Sequence, residues 1–231
     1  MTIAHHSAGA PVATDWSIPP DPALEPVTEI MSVHGSSEAV DSPSRVRGFL
    51  RGNAVRDALD RGYRLGFVGS GDSHDGHPGL PHLNPTYGWR PATEVRGQKS
   101  PERLGQGGVT AVFASELSRE AVLQALRERR CYATSGPRIL LSVQLAGAEM
   151  GQVLKKPKGL ETLHVQVHGT RGLRSLELIR GGKIVQTLSP SSDQATWSVA
   201  LEDLRGGEYV YVRVVQEDGG LAWSSPIWIE P

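Results

Sequence analysis

Cys131 is the single cysteine in 231 residues, so no intrachain disulfide can form and a CxxC metal site is excluded. Neither sign of charge is in excess: 24 basic side chains face 25 acidic ones, and charged residues make up 21% of the chain. That balance argues against disorder, and against general attraction to nucleic acid or an anionic membrane. No apolar run approaches the ~18 residues that a membrane span needs. Met1-Thr-Ile-Ala-His5-His6 has neither a basic stretch nor a long apolar one, so it does not read as a secretory leader, and a cytoplasmic location is expected. Internal repeats and low-complexity tracts are absent. No serine or cysteine stands in a nucleophile-elbow context, which leaves a metal-activated water as the expected nucleophile of any hydrolytic chemistry.

Glycine is abundant, at 27 residues. That exceeds the usual ~7% and predicts many tight turns, as strands and βα loops require. Six of the eight histidines (His5, His6, His34, His74, His77 and His82) lie in the first 82 residues. Over the same region short apolar runs alternate with a helical pattern. Val27 to His34 reads as a strand. Val46, Phe49, Leu50, Ala54, Val55, Ala58 and Leu59 give the i, i+3, i+4 spacing of a helix over 44–61, with Gly62 as its left-handed stop. Tyr63 to Val68 reads as the next strand. Strand, helix, strand implies a parallel sheet with its loops gathered at one end.

Residues 77–106 have no periodicity and read as a functional loop. A strand over 108–114 and a helix capped by Ser118 follow. From about Ile139 the period becomes two, with roughly seven short strands in ~90 residues, as in an antiparallel sandwich. Along Tyr209 to Val215 the alternation puts Val210, Val212 and Val214 on one face, the expected core. Tyr209, Tyr211 and Arg213 share the other, facing outward or packing on the first part. The expected division is therefore residues 1–135, an α/β unit, and residues 136–231, an all-β Ig-like sandwich that folds on its own from about Pro137.

The sharpest local signal is Asp72-Ser-His74, where the strand ending at Val68 meets its loop. Residues two apart on a strand share a face, so one carboxylate and one imidazole can address one point. Alone, such a pair is more often a turn-capping Asp beside a surface His. This pair has company, because His5-His6 and His34 end strands that a parallel sheet would set side by side. Imidazoles with a carboxylate suit Zn²⁺, Mn²⁺ or Fe²⁺. His77 and His82, in the following loop, read as loop-surface or substrate-facing groups.

Three segments in order, TIAHHSAG (Thr2–Gly9), EIMSVHGSSE (Glu29–Glu38) and GFVGSGDSHDGHPG (Gly66–Gly79), resemble the later metal-binding motifs of the PHP superfamily of metallohydrolases. The stretch from Gly108 to Ile139 and AWSSPIWIE (Ala222–Glu230) are similar to its carbaryl-hydrolase-like branch, which appends a β-sandwich. The resemblance implies the C-terminal portion of a distorted (βα)7 barrel over residues 1–135, joined to the sandwich. It implies His5, His34, Asp72 and His74 as metal ligands, with Asp72 also holding the nucleophilic water. Glu29 and Glu38 would orient imidazoles, and His6 would support a ligand or touch substrate. The implied activity is metal-dependent hydrolysis of a small phosphoester, carbamate or related ester. The family's opening His-x-His strand has no counterpart here. The resemblance therefore implies a truncated chain, inactive alone or completed by a first half on another chain. A non-enzymatic binding module is the competing expectation.

Overall fold

The computed structural model describes residues 1–72, 107–155, 157 and 159–231, with the backbone of two short strands between residues 86 and 91. The chain is mostly β, with two short helices among the described residues, so the partial (βα)7 barrel expected of residues 1–135 is not formed. A barrel needs a helix after each strand to cover the sheet from outside. Here a second sheet covers it instead.

The first part is a small three-stranded sheet. β1 (Val27–Ser32) lies between β2 (Gly35–Ser36), its antiparallel partner, and, beyond the short helix α1 (Val55–Asp60), the parallel strand β3 (Gly66–Gly69). Ala4 makes a parallel bridge to Thr28, so the chain leading into His5 runs beside β1. Every residue of β1 and β3 is buried, as expected for parallel strands covered on both faces.

The helix expected over 44–61 is confined to its last turns. Residues 44–47 are committed to sheet-like bonds, with Ser36 N–H donating to Ser44 O, Val46 N–H to Ser36 O and Arg47 N–H to His34 O. Gly48 and Gly52 then adopt φ of +68° and +86°, which an α-helix cannot accommodate. α1 starts after Ala54, whose N–H donates to the Asp57 carboxylate at 2.9 Å, and Gly62 stops it at φ +87°.

Past β4 (Thr86–Tyr87) and β5 (Arg90–Pro91), which pair with each other, come β6 (Val109–Val112), α2 (Arg119–Arg127) and β7 (Cys131–Thr134). Ser118 Oγ caps α2 by accepting the Ala121 N–H at 3.2 Å. The rest is strand: β8 (Leu140–Leu145), β9 (Ala148–Glu149), β10 (Val153–Leu154), β11 (Glu161–His168), β12 (Leu173–Arg180), β13 (Lys183–Leu188), β14 (Gln194–Leu201), β15 (Tyr209–Gln216), β16 (Leu221–Ser224) and β17 (Ile227–Ile229).

β14-β11-β8-β9 form one antiparallel sheet, and β10-β17-β15-β16-β7-β6 with β12 and β13 form the other. Leu141, Val143, Leu163 and Val165 face Leu176, Val210, Val212 and Val214 to make the sandwich core. β6 and β7, which precede residue 136, are strands of this larger sheet. β7 is hydrogen-bonded to β16, with Ala133 opposite Trp223. The outer face of that sheet, with Tyr209, Tyr211, Trp223 and Trp228, packs on Ile30, Met31, Val55, Leu59 and Phe67 of the first part. The result is three layers: a four-stranded sheet, the large sheet, and the small parallel sheet with α1. Among the described residues no helix is long and apolar enough to cross a membrane.

Candidate metal centre

Three chain segments end together at the carboxyl edge of the small parallel sheet. His5 and His6 follow the bridge at Ala4, His34 follows β1, and Asp72 follows β3. Open parallel sheets place ligand sites at this edge, where strand ends release loops into a crevice. Asp72 Oδ2 lies 2.6 Å from His34 Nε2 and 3.3 Å from His5 Nε2. The rings of His5 and His6 are 3.8 Å apart between centroids, and those of His6 and His34 are 4.9 Å apart. Donor atoms of His5, His6 and Asp72 all fall within 4.8 Å of one another.

Glu29 organises this cluster from behind. Its carboxylate lies 3.0 Å from His5 Nδ1, accepts the His6 backbone N–H at 3.0 Å, and accepts the Ser70 hydroxyl. The Glu29 carboxylate beside Nδ1 orients the ring so that Nε2 faces Asp72; with the Nδ1 proton directed at Glu29, Nε2 is the nitrogen the ring would offer a metal ion. The same bond raises the pKa of His5, with burial opposing and the charges of Glu29 and Asp72 adding to the rise.

The backbone at the site is strained. His6 and Asp72 adopt φ of +27° and +42°. Non-glycine residues held there cost on the order of 1–3 kcal/mol each, and such strain gathers at functional sites. His6 Nδ1 is buried without a hydrogen-bond partner among the described residues, and Gly9 packs so closely that a Cβ there would meet it at 2.8 Å. Gly108 holds the Asp72 loop in place by backbone contact, since a Cβ on it would lie 2.5 Å from Met31 O and 2.9 Å from Ser70 N.

Of the residues singled out in the sequence, His5, His6, His34, Asp72 and Glu29 are brought together. His74, His77 and His82 lie outside the described residues. Glu38 is not at the cluster. Its Oε1 accepts from Tyr211 at 2.7 Å and Arg56 at 3.2 Å, and its Oε2 from Arg213 and Trp223, both at 2.8 Å. It orients no imidazole because every direction around its carboxylate is taken by the layer interface. Ser70 is the residue that sequence reasoning missed. Its position in Gly-Ser-Gly after a strand was the available signal.

A cavity of about 460 Å³ opens on the cluster, lined by His5, His6 and His34 together with Gly9, Arg47 and Gly48. A second, more apolar cleft of about 480 Å³ also reaches His5 and Glu29 and is lined by Ile3, Val112, Val122 and Leu126.

Fold and site together define a β-sandwich chain with a histidine–carboxylate cluster at the edge of an appended parallel sheet. The family model described as "Protein of unknown function (DUF3604)" matches residues 46–163, just over half of the sequence, and the chain belongs to that family. This corrects the resemblance to the PHP superfamily, which the mostly β architecture also contradicts. An uncharacterized protein of Chlamydia pneumoniae is 34% identical over 90% of this chain and 35% of its own length, and one of Chlamydia trachomatis is 33% identical with the same coverage. The chain thus spans about a third of the length of the curated relatives it matches. Among solved structures, a Jonesia denitrificans lytic polysaccharide monooxygenase is similar over 34% of this chain and 57% of its own, with 14% identity and a TM-score of 0.26, a likeness that carries no argument.

Proposed function

We propose that His5, His6, His34 and Asp72 hold a divalent ion (Zn²⁺, Mn²⁺ or Fe²⁺) and that the site hydrolyses a small phosphoester or related ester. The supporting observation is the Glu29–His5–Asp72 alignment, in which a buried carboxylate fixes the imidazole so that its Nε2 faces the Asp72 carboxylate, where His34 Nε2 also arrives. Nitrogen and oxygen donors of this kind suit the borderline divalent metals. A bound ion of this type polarises an ester oxygen and draws the pKa of water toward neutrality. Asp72 is placed to accept a hydrogen bond from the attacking water and orient it. In the reaction the water oxygen bonds to phosphorus or acyl carbon, the bond to the leaving oxygen breaks, and the water's proton ends on that leaving group. A cytoplasmic location belongs to the same proposal, in keeping with the lone, buried and unpaired thiol of Cys131.

Calorimetric titration with Zn²⁺ and Mn²⁺ tests this reading. The expected result is saturable binding that weakens at least tenfold in Asp72→Asn and His5→Ala, with any hydrolysis of p-nitrophenyl phosphate abolished by a chelator. Absent metal binding, or binding indifferent to both substitutions, overturns it.

A further inference from the structure

We propose that Arg47 is the anion-recognition residue of this site and selects a phosphoryl group as the part of the substrate bound there; the inference rests on the metal-site reading above. Arg47 lines the same cavity as the three imidazoles. Its position is fixed by backbone bonds to both histidine-bearing segments. Its own N–H donates to His34 O at 3.0 Å, Gly48 O accepts the Ala10 N–H at 3.2 Å, and Leu50 N–H donates to Ala8 O at 2.8 Å. The guanidinium therefore projects from a backbone held in register with His6 and His34.

The charge arrangement around it is one-sided. Among the described residues no carboxylate pairs with Arg47, and none is among the residues lining the cavity. The carboxylates of the site, Glu29 and Asp72, are directed at histidines. The neighbouring Arg45 is occupied differently, lying over the Phe49 ring at 5.9 Å. A cavity lined by three histidines and Arg47, beside the residues that would hold a divalent ion, favours an anionic occupant, and a neutral ester would gain no ion pair from Arg47. The planar fork of a guanidinium matches two oxygens of a tetrahedral phosphoryl group.

The test uses the Mn²⁺-loaded chain, with inorganic phosphate and acetate as probes, in wild type, Arg47→Ala and Arg47→Lys. Phosphate affinity is expected to fall at least tenfold in Arg47→Ala and less in Arg47→Lys, while Mn²⁺ affinity stays within twofold and acetate binding is unaffected. Equal phosphate affinity in wild type and Arg47→Ala, with Mn²⁺ still bound, overturns the inference and leaves the metal site standing. An equal loss for acetate and phosphate overturns the phosphoryl assignment. Failure of wild type to bind Mn²⁺ overturns the metal-site reading, and this inference with it. Because the Arg47 side chain is exposed, an unchanged Mn²⁺ affinity also reports that the variant is folded.

Discussion

Arg213 donates from Nη1 to Glu38 Oε2 at 2.8 Å, and neither side chain is more than 2% exposed. This pair joins the large sheet to the segment following β2, and Arg56, Tyr211 and Trp223 complete the carboxylate's partners. Glu177 takes the other side of the Arg213 guanidinium at 2.6 Å. Removing one member strands a buried charge, which typically costs ~3–5 kcal/mol. Arg213→Met should lower the free energy of unfolding by about that amount, read from the fall in the denaturant midpoint followed by tryptophan fluorescence. A midpoint within error of wild type would show that Arg56, Tyr211 and Trp223 suffice to hold the buried Glu38 carboxylate.

Because β6 and β7 complete the large sheet, residues 137–231 taken alone would lose the partner of β16 and uncover Tyr209, Tyr211, Trp223 and Trp228. An apolar face of that size and an open sheet edge favour aggregation. The isolated segment is expected to lack a cooperative thermal transition, whereas one starting before β6 should do better. Dispersed amide resonances from 137–231 alone would show that the four-stranded sheet and its core suffice.

Alkaline pH should destabilise the chain through two tyrosines. Burial, reinforced by Asp60 for Tyr209 and by Glu38 for Tyr211, raises both phenols above their usual value of 10.0. Above pH 10 the unfolded chain releases these protons while the folded chain retains them. The unfolded state then binds fewer protons, and stability falls as pH rises. Urea midpoints should decline from about pH 10 upward. Tyr209→Phe, which keeps the ring but removes the phenol, should flatten part of that decline. An unchanged pH profile in this variant would remove Tyr209 from the explanation.

The alternation along β15 was legible before any coordinates, because a period of two assigns Val210, Val212 and Val214 to one face whatever the sheet packs against. All three are in the sandwich core, and Tyr209 and Tyr211 face the first part. Ser118 was equally readable, since an N-cap is a local event. The helix over 44–61 failed because its apolar spacing was compatible with a helix while the backbone bonds of Ser44 to Arg47 were claimed by distant residues, Ser36 and His34. Two glycines inside that window were the contrary signal. The barrel failed for a related reason. Strand–helix–strand order and histidine-bearing strand ends imply a parallel sheet, and one is present, but order alone does not say what covers it. Glu29 lies within β1 and Glu38 just beyond β2, and the two look equivalent in sequence. Only packing separates the one held beside His5 from the one buried under Tyr211.

The Glu29–His5 contact gives the most specific test of the site. Glu29→Gln retains an oxygen that can accept the Nδ1 proton of His5, but it removes the negative charge that makes the imidazole a better donor. Carboxylates in this position behind a metal-binding histidine typically change metal affinity ~10–100-fold. The expected result is a loss at the lower end of that range for Zn²⁺ or Mn²⁺, measured by calorimetry, and a larger loss for Glu29→Ala. The alanine substitution also leaves the His6 N–H and the Ser70 hydroxyl without their acceptor. Thermal stability read in parallel separates the two effects. Glu29→Gln sets its amide NH2 against the His6 N–H, so it should lower the unfolding midpoint of the metal-free chain somewhat, and Glu29→Ala should lower it further. If Glu29→Gln binds metal as tightly as wild type, the alignment of Glu29, His5 and Asp72 serves the fold and not a metal ion.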